Sequence, residues 1–490
     1  MPKTEGKQQY RSYNKHPRLS KMKRRFFLQS LFIFSGGLIM AGPGVLAQSK
    51  KVKRTISGTV QAQGKKLANV IVSDGSAVVT TNKRGRFKLP CNPKANFVFV
   101  SVPSGYAFPT ENGVAKHYLP LIPDKDNHYD FDLVPLSKDD SQHSFIIWAD
   151  PQVKNKQDVA LMMQHSVPDV QKLVQNMGPD ALVHGIGVGD LVWDNHRLFP
   201  QYNKAVAAMG IPFFQALGNH DMDYRQGGDE TSDITFQKVF GPTYYSFNRG
   251  KAHYVVLDDV RYLGKEREYD GFITAQQLDW LKEDLKHVSK NKLIILCAHI
   301  PVARVKNNEE LYSLLQGYQV HIMTGHTHTN YNTAREGIFE HVHGTVSGAW
   351  WTGPICTDGT PNGYGVYQVD GNQLKWYYKS TGHDPSHQLS IDVQQLTDQK
   401  RFIANVWNWD PAWKVEWYAD GNYMGALENN KGFDPVAVRT MRGDQLPTRR
   451  PFAEPSRTEH LFTGHVKPEV KQIKVVATDR FGNKYESTAG

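Results

Sequence analysis

Five short apolar runs in the middle of the chain each stop abruptly at a polar cluster. Residues 144–148 stop at Asp150-Pro151-Gln152, and residues 181–188 at Gly189-Asp190, with Asp194 just beyond. Residues 211–217 stop at Gly218-Asn219-His220-Asp221, residues 293–298 at His299, and residues 318–323 at Thr324-Gly325-His326-Thr327-His328. Runs this short with little polar interruption predict buried strands. Helix-like stretches lie between them. The clearest is 274–288, where Thr274 and Gln277 form a capping box and Leu278, Leu281, Leu285 and Val288 recur at helical spacing. This alternation from about 143 to 384 predicts a layered α/β core, with the 274–288 helix covering its sheet.

The texture on either side is different. Residues 54–136 hold short alternating segments at 55–60, 69–73, 77–81, 86–89 and 97–102, separated by turn pairs at Gln63-Gly64, Asp74-Gly75 and Arg84-Gly85. They predict a small β-sandwich, and their pattern resembles the carboxypeptidase-regulatory-like domain, which implies an accessory role. Residues 388–490 return to β texture with turns at Asp420-Gly421-Asn422 and Gly482-Asn483. Trp407, Trp409, Trp413 and Trp417 lie close together there; they are expected to fill the core of this C-terminal β domain, with sugar binding as the alternative.

Charge alters the picture only at the amino terminus. Residues 1–47 contain nine Lys/Arg and one Glu, so they carry +8 of the chain's +10 and leave +2 for residues 48–490. That remainder gives no basic surface for nucleic acid. The segment Lys23-Arg24-Arg25-Phe26-Phe27-Leu28 resembles a twin-arginine export signal, although Lys23 stands where Ser or Thr is usual. An apolar stretch follows and ends at Val45-Leu46-Ala47, a small-residue cleavage site. The stretch is shorter than the ~20 residues of a spanning helix, so a cleaved signal peptide over 1–47 is expected, with an uncleaved anchor as the alternative. The expected location is periplasmic or in the cell envelope. The three cysteines, Cys91, Cys297 and Cys356, show no spacing of a disulfide framework or zinc site.

The polar clusters carry the chemistry. A Gly-Asp or a lone His after a strand is ordinarily a turn or a hydrogen-bonded residue, but here five successive buried runs end this way. In layered α/β proteins, ligands gather at the carboxyl ends of the strands, so all five clusters are expected to line one crevice. Their order, Asp-x-Gln, Gly-Asp, Gly-Asn-His-Asp, His, Gly-His-x-His, resembles the calcineurin-like metallophosphoesterase family, and the flanks resemble the β domains of a bacterial branch of it. The resemblance implies a central α/β metallophosphoesterase over 143–384, a β-sandwich flanked by helices, between an N-terminal β-sandwich and a C-terminal β domain.

It also implies two divalent metal ions, of manganese, iron, magnesium or zinc. One would be held by Asp150, Gln152, Asp190 and His328, and the other by Asp190, Asn219, His299 and His326, with Asp190 bridging. Gln152 replaces the His of many members, which favours manganese, magnesium or iron over zinc at the first site. Two cations about 3.5–4 Å apart would generate a hydroxide to attack phosphorus. His220 would be the acid that protonates the leaving oxygen, oriented by Asp194. Trp350, Trp351 and Tyr364, in a Gly-rich region after the last motif, are candidates to stack on a sugar or base; packing between domains is the alternative. The expected substrate is a small phosphomonoester or phosphodiester: a phosphorylated sugar, nucleotide or lipid headgroup. A nucleotide pyrophosphatase/phosphodiesterase and a catalytically inactive surface glycan-binding protein are the alternatives.

Overall fold

The apolar runs become the central strands of two stacked sheets. A seven-stranded sheet runs in the order Gln373–Ser380, Gly363–Asp370, Gln142–Trp148, Val183–Val188, Phe213–Ala216, Val114–Ala115, Thr110–Glu111. A six-stranded sheet runs Tyr245–Arg249, Ala252–Val256, Leu293–Cys297, Gln319–Thr324, Ile338–Val342, Tyr331–Arg335. This computed structural model describes residues 54–122 and 127–490; the expected export signal over 1–47 lies outside the described residues. Among the described residues no helix is long and apolar enough to cross a membrane.

Aromatic side chains fill the space between the sheets. Phe214 of one stacks on Phe247 of the other with centroids 3.7 Å apart, and Phe145 meets Tyr254 edge to face at 5.4 Å. On the other face of the seven-stranded sheet, the Phe213 ring crosses Gly185, where a Cβ would lie 2.2 Å from it. Strands Gln142–Trp148, Val183–Val188 and Phe213–Ala216 are parallel neighbours, as are Leu293–Cys297 and Gln319–Thr324 in the second sheet. The expected helix spans Ala275–Leu285, and its cap Thr274 accepts a hydrogen bond from the Gln277 amide.

The N-terminal region forms two small four-stranded sheets. Strand Thr55–Ala62 alternates half-buried and buried positions along its whole length, and the turn glycines Gly64, Gly75 and Gly85 all adopt positive φ. Short strands of this region also reach the central core. Thr110–Glu111 and Val114–Ala115 form a hairpin that covers the Phe213–Ala216 edge of the central sheet, with Val114 opposite Phe213. Without it that strand would leave backbone groups open. The helix Ala275–Leu285 also seats the N-terminal sheets: its buried Trp280 donates from Nε1 to Ser73 Oγ at 3.1 Å and meets Phe99 edge on.

The C-terminal region is two four-stranded sheets. Trp413 and Trp417 pack with Phe402 and Phe462 in its core, and Trp409 packs partly buried against them. Trp407 is also buried, and its carbonyl accepts from Asn330 Nδ2 of the central region. The tryptophan cluster is thus interior, as the core reading expects. One helix here, Pro435–Arg442, starts where Asp434 accepts from the Ala437 amide at 2.8 Å and Pro435 occupies the first turn. Cys91, Cys297 and Cys356 are free and buried.

Candidate metal centre

Each of the five central strands ends just short of the residues singled out from the sequence, and the backbone then turns sharply. Asp150, Gln152, Asp190, Asp194, His326 and His328 all have positive φ, between 39° and 70°. Non-glycine residues rarely adopt this conformation, and clusters of them mark sites where the surroundings hold strain in place. These six residues follow three of the five strand ends. Glycines make room for close approaches there. A Cβ at Gly325 would lie 2.4 Å from Asp150 Oδ2, and one at Gly189 would lie 2.6 Å from His299 Nδ1. At Gly218 the backbone is extended, φ −115° and ψ 169°, and a Cβ there would lie 2.0 Å from the Asp190 amide nitrogen. Space, rather than backbone freedom, requires that glycine.

The carboxyl ends of the two sheets meet at Asp190, His299 and His326, whose potential ligand atoms all lie within 4.8 Å of one another. His299 is fully buried; its Nδ1 donates to Val188 O at 2.8 Å, which turns Nε2 toward the cluster. That Nε2 lies 3.3 Å from Asp190 Oδ1, 3.1 Å from Asn219 Oδ1 and 3.1 Å from His326 Nδ1. Four donor atoms at this spacing fit one shared cation, since bonds of about 2.1 Å place neighbouring ligand atoms about 3–3.5 Å apart. Of the other expected ligands, Gln152 borders the same carboxylate and His328 lies beside Asp150. Gln152 Nε2 donates to Asp190 Oδ2 at 2.6 Å, and His328 Nε2 lies 3.8 Å from Asp150 Oδ1. Asp150 Oδ1 and Gln152 Oε1 are buried without a hydrogen-bond partner. A cation held there would answer that deficit, because buried polar atoms are otherwise paired.

Electrostatics follow from burial around one dominant charge. Burial opposes ionisation of Asp190, but His299 and His220 beside it hold its carboxyl well below the usual range. Asp150 shows the opposite balance: burial, helped by the Asp190 charge, raises it to about 7. Burial lowers His326 to about 3 and His328 to about 4, so both imidazoles are neutral and able to ligate. For His299 burial is outweighed by Asp190 and Asp150, and its pKa rises to about 10.

His220 lies at the edge of this group. Its amide donates to Asp190 Oδ1 at 2.8 Å, its Nδ1 lies 2.9 Å from Asp194 Oδ1, and its Nε2 lies 4.0 Å from Asp190 Oδ2. Burial works against its charge, yet Asp190 and Asp194 raise its pKa above the ordinary imidazole value. Asp221 is a brace: its carboxylate accepts from the amides of Leu191, Val192 and Gly218, tying the second and third strand ends together.

The three aromatic candidates separate. Trp350 is half-buried and stacks on His328 with centroids 4.5 Å apart. Tyr364 cannot stack on a substrate: it is fully buried, and its hydroxyl donates to Asp169. Trp351 is also turned inward, with Nε1 donating to Pro151 O at 2.8 Å. It lines a cavity of about 760 Å³ that touches none of the ligands. Trp351 belongs to the same loop as Trp350 but is turned inward, whereas Tyr364 sits in the strand Gly363–Asp370.

Sequence reasoning missed Arg267, whose guanidinium contacts Asp194 at 2.7 Å and His220 Nδ1 at 3.1 Å. It sits in the charged run Lys265-Glu266-Arg267-Glu268, which carries no strand-end signal. Also missed were Trp193, edge on to His220, and Asp259, which accepts from the His299 and Ile300 amides.

Three family profiles match successive parts of the chain: the N terminal of calcineurin-like phosphoesterase over 54–136, calcineurin-like phosphoesterase itself over 145–330, and its C terminal over 340–485. The chain belongs to the calcineurin-like phosphoesterase family. With the Asp190–His299–His326 cluster in place, it is a metal-dependent hydrolase that carries the family's N- and C-terminal domains. No curated protein matches this phosphoesterase. Among solved structures, a dimetal phosphatase from Danio rerio is 15% identical, covering 49% of this chain and 97% of its own, at a TM-score of 0.36. A purple acid phosphatase from yellow lupin (Lupinus luteus) seeds is 14% identical, covering 64% and 67%, at 0.38. Likenesses this distant carry no argument about chemistry.

Proposed function

We propose that this phosphoesterase hydrolyses a small phosphomonoester or phosphodiester at a two-cation site bridged by Asp190. The supporting observation is that the two oxygens of Asp190 face different donor sets. Oδ1 lies 3.3 Å from His299 Nε2, and Oδ2 lies 2.6 Å from the Gln152 amide. Asn219, His299 and His326 would complete one site. Asp150, His328 and Gln152 would complete the other, with the Gln152 amide turned so that Oε1 ligates. The oxygen-rich second set suits manganese, magnesium or iron. Cations bound there would acidify water and draw charge from the phosphoryl oxygens.

The chain's own residues supply the rest. Asp194 fixes the Nδ1–H of His220, so Nε2 faces the crevice and holds the proton that the leaving oxygen needs. Arg267 anchors Asp194 from the solvent side. Every ligand position keeps a donor, which leaves nothing in the site to favour the inactive glycan-binding alternative. A nucleotide pyrophosphatase or phosphodiesterase uses the same groups and differs only in substrate. We also propose export through the 1–47 leader into the periplasm or cell envelope; mass spectrometry of the mature protein should find a new amino terminus after Ala47.

The test combines metal content with turnover. The purified protein is expected to hold about two transition-metal equivalents. It should turn over members of a panel of phosphorylated sugars, nucleotides and lipid headgroups supplied with manganese. Asp190→Asn should lose metal and reduce turnover by roughly a thousandfold or more. A folded, metal-free wild type, or wild-type turnover in Asp190→Asn, overturns the proposal.

A further inference from the structure

We propose that the C-terminal domain supplies part of the substrate site. Phe452, with Trp350 and Trp193, forms an aromatic wall beside the metal centre that receives a ring on the leaving-group side of the phosphoester. The enzyme would therefore select ring-bearing esters over small alkyl ones. This rests on the phosphoesterase reading above and adds a substrate class to it.

The wall is continuous with the catalytic groups. Trp350 stacks on His328, Trp193 meets His220 edge on at 5.6 Å, and the two indoles lie 6.3 Å apart. Phe452 touches both, at 5.4 Å from Trp350 and 5.8 Å from Trp193, yet it is 54% exposed. A large apolar ring left this open against two other aromatics is an incomplete cluster. It lies one ring beyond the ligand His328 through Trp350, and one ring beyond His220, the proposed acid for the leaving oxygen, through Trp193.

The loop carrying Phe452 is held in place firmly. Arg449 and Arg450 both grip Asp158, which is fully buried and also accepts from the Lys154 amide at 2.9 Å, in the turn that follows Gln152. Arg450 also donates to the Trp350 carbonyl, and its guanidinium lies 4.9 Å over the Trp193 ring. Trp350, Trp351 and Arg450 all have positive φ, so both loops are fixed in a strained conformation where they meet. A surface that served only to join two domains would not need its ring uncovered. Lys154, 4.3 Å over Trp193 and without an ion-pair partner among the described residues, adds a positive charge suited to an anionic ester.

Apolar ring faces belong to nucleobases, pyranoses and aryl groups alike, so the assay uses a nucleoside 5′-phosphate, a hexose 1-phosphate and phenyl phosphate against methyl phosphate. In metal-loaded enzyme, Phe452→Ala is expected to raise KM for at least one ring-bearing ester about tenfold more than for methyl phosphate. Phe452→Tyr should restore the preference. The arm that loses most identifies the ring. Independently of turnover, phenylphosphonate should change the tryptophan fluorescence of the wild type and bind about tenfold more weakly to Phe452→Ala, with methylphosphonate little affected. Equal losses on ring and alkyl ligands, or none, overturn the aromatic wall. Failure of every ester to turn over, with ring-selective binding intact, would instead defeat the phosphoesterase reading. Thermal melts of both variants confirm that they are folded.

Discussion

The metal side and the mouth of the same crevice are built in opposite ways. On the metal side the ligands lie within a few residues of the five strand ends, are largely buried, and have backbone partners such as Val188 O for His299 and Gly348 O for His328. At the mouth, Arg267, Trp350 and Phe452 come from other loops, Lys154 and Trp193 follow two of the same strand ends further along, and all five stay partly open. Side-chain contacts hold them: two arginines on Asp158, and Arg267 on Asp194. The first arrangement fixes donor atoms at the spacing that cations demand. The second can vary without disturbing the first, which suits the part of an enzyme that sets its substrate.

His220 sits on the boundary between the two, and removing it gives the largest change expected here. It touches Asp190 through its amide and the mouth through Asp194, Arg267 and Trp193. His220→Ala should keep the metal and lower kcat for alkyl esters by about 10²–10⁴-fold, while p-nitrophenyl esters, whose leaving group needs little protonation, lose far less. Paired kcat measurements with metal analysis check this. Equal loss on both substrates would move His220 to the metal side as a support.

The same division explains what could be read from the sequence. Strand ends announce themselves, because a buried run followed by Asp or His is visible in one dimension, and five such ends supplied all seven ligand candidates and His220. The helix at Ala275–Leu285 was visible through its cap and period. The hairpin at Thr110–Ala115 was not, since strands of two residues leave no pattern and its pairing is with Phe213, nearly a hundred residues away. Tyr364 and Trp351 looked like Trp350 in sequence; only the folded path of the loop and of the strand Gly363–Asp370 decides which ring faces out. Arg449 and Arg450 show no pairing signal in the sequence, because their partner Asp158 lies about 290 residues earlier.

Asp158→Asn loosens the mouth without touching a metal ligand. The amide still accepts from the Lys154 backbone but loses the charge that two guanidiniums share. Breaking a fully buried pair costs about 3–5 kcal/mol. With the Arg449 side chain 24% exposed, about 2 kcal/mol is expected, visible as a lower melting temperature. For ring-bearing esters the effect should fall on KM before kcat. A fall in metal content would instead show that the mouth and the metal side are not independent.

The smallest effect probes how the metal side is braced from behind. Glu340, on the strand next to Gln319–Thr324, is buried and accepts from the Val302 amide at 2.6 Å, fixing the turn that follows His299. Burial, only partly offset by that amide and by Thr324, raises its pKa to about 7, against about 4.3 in an unfolded chain. The folded state therefore holds this proton more tightly. Its contribution is fully present below the unfolded value and is lost as pH rises through about 7. Glu340→Gln removes the ionisation and keeps an acceptor for Val302. In metal-free protein, melts at pH 5 and pH 8 should show the variant gaining on the wild type by a few degrees at the higher pH. A gap that stays constant with pH would mean that Glu340 is already charged in the fold, and that the metal side tolerates a buried carboxylate there as readily as the mouth tolerates Asp158.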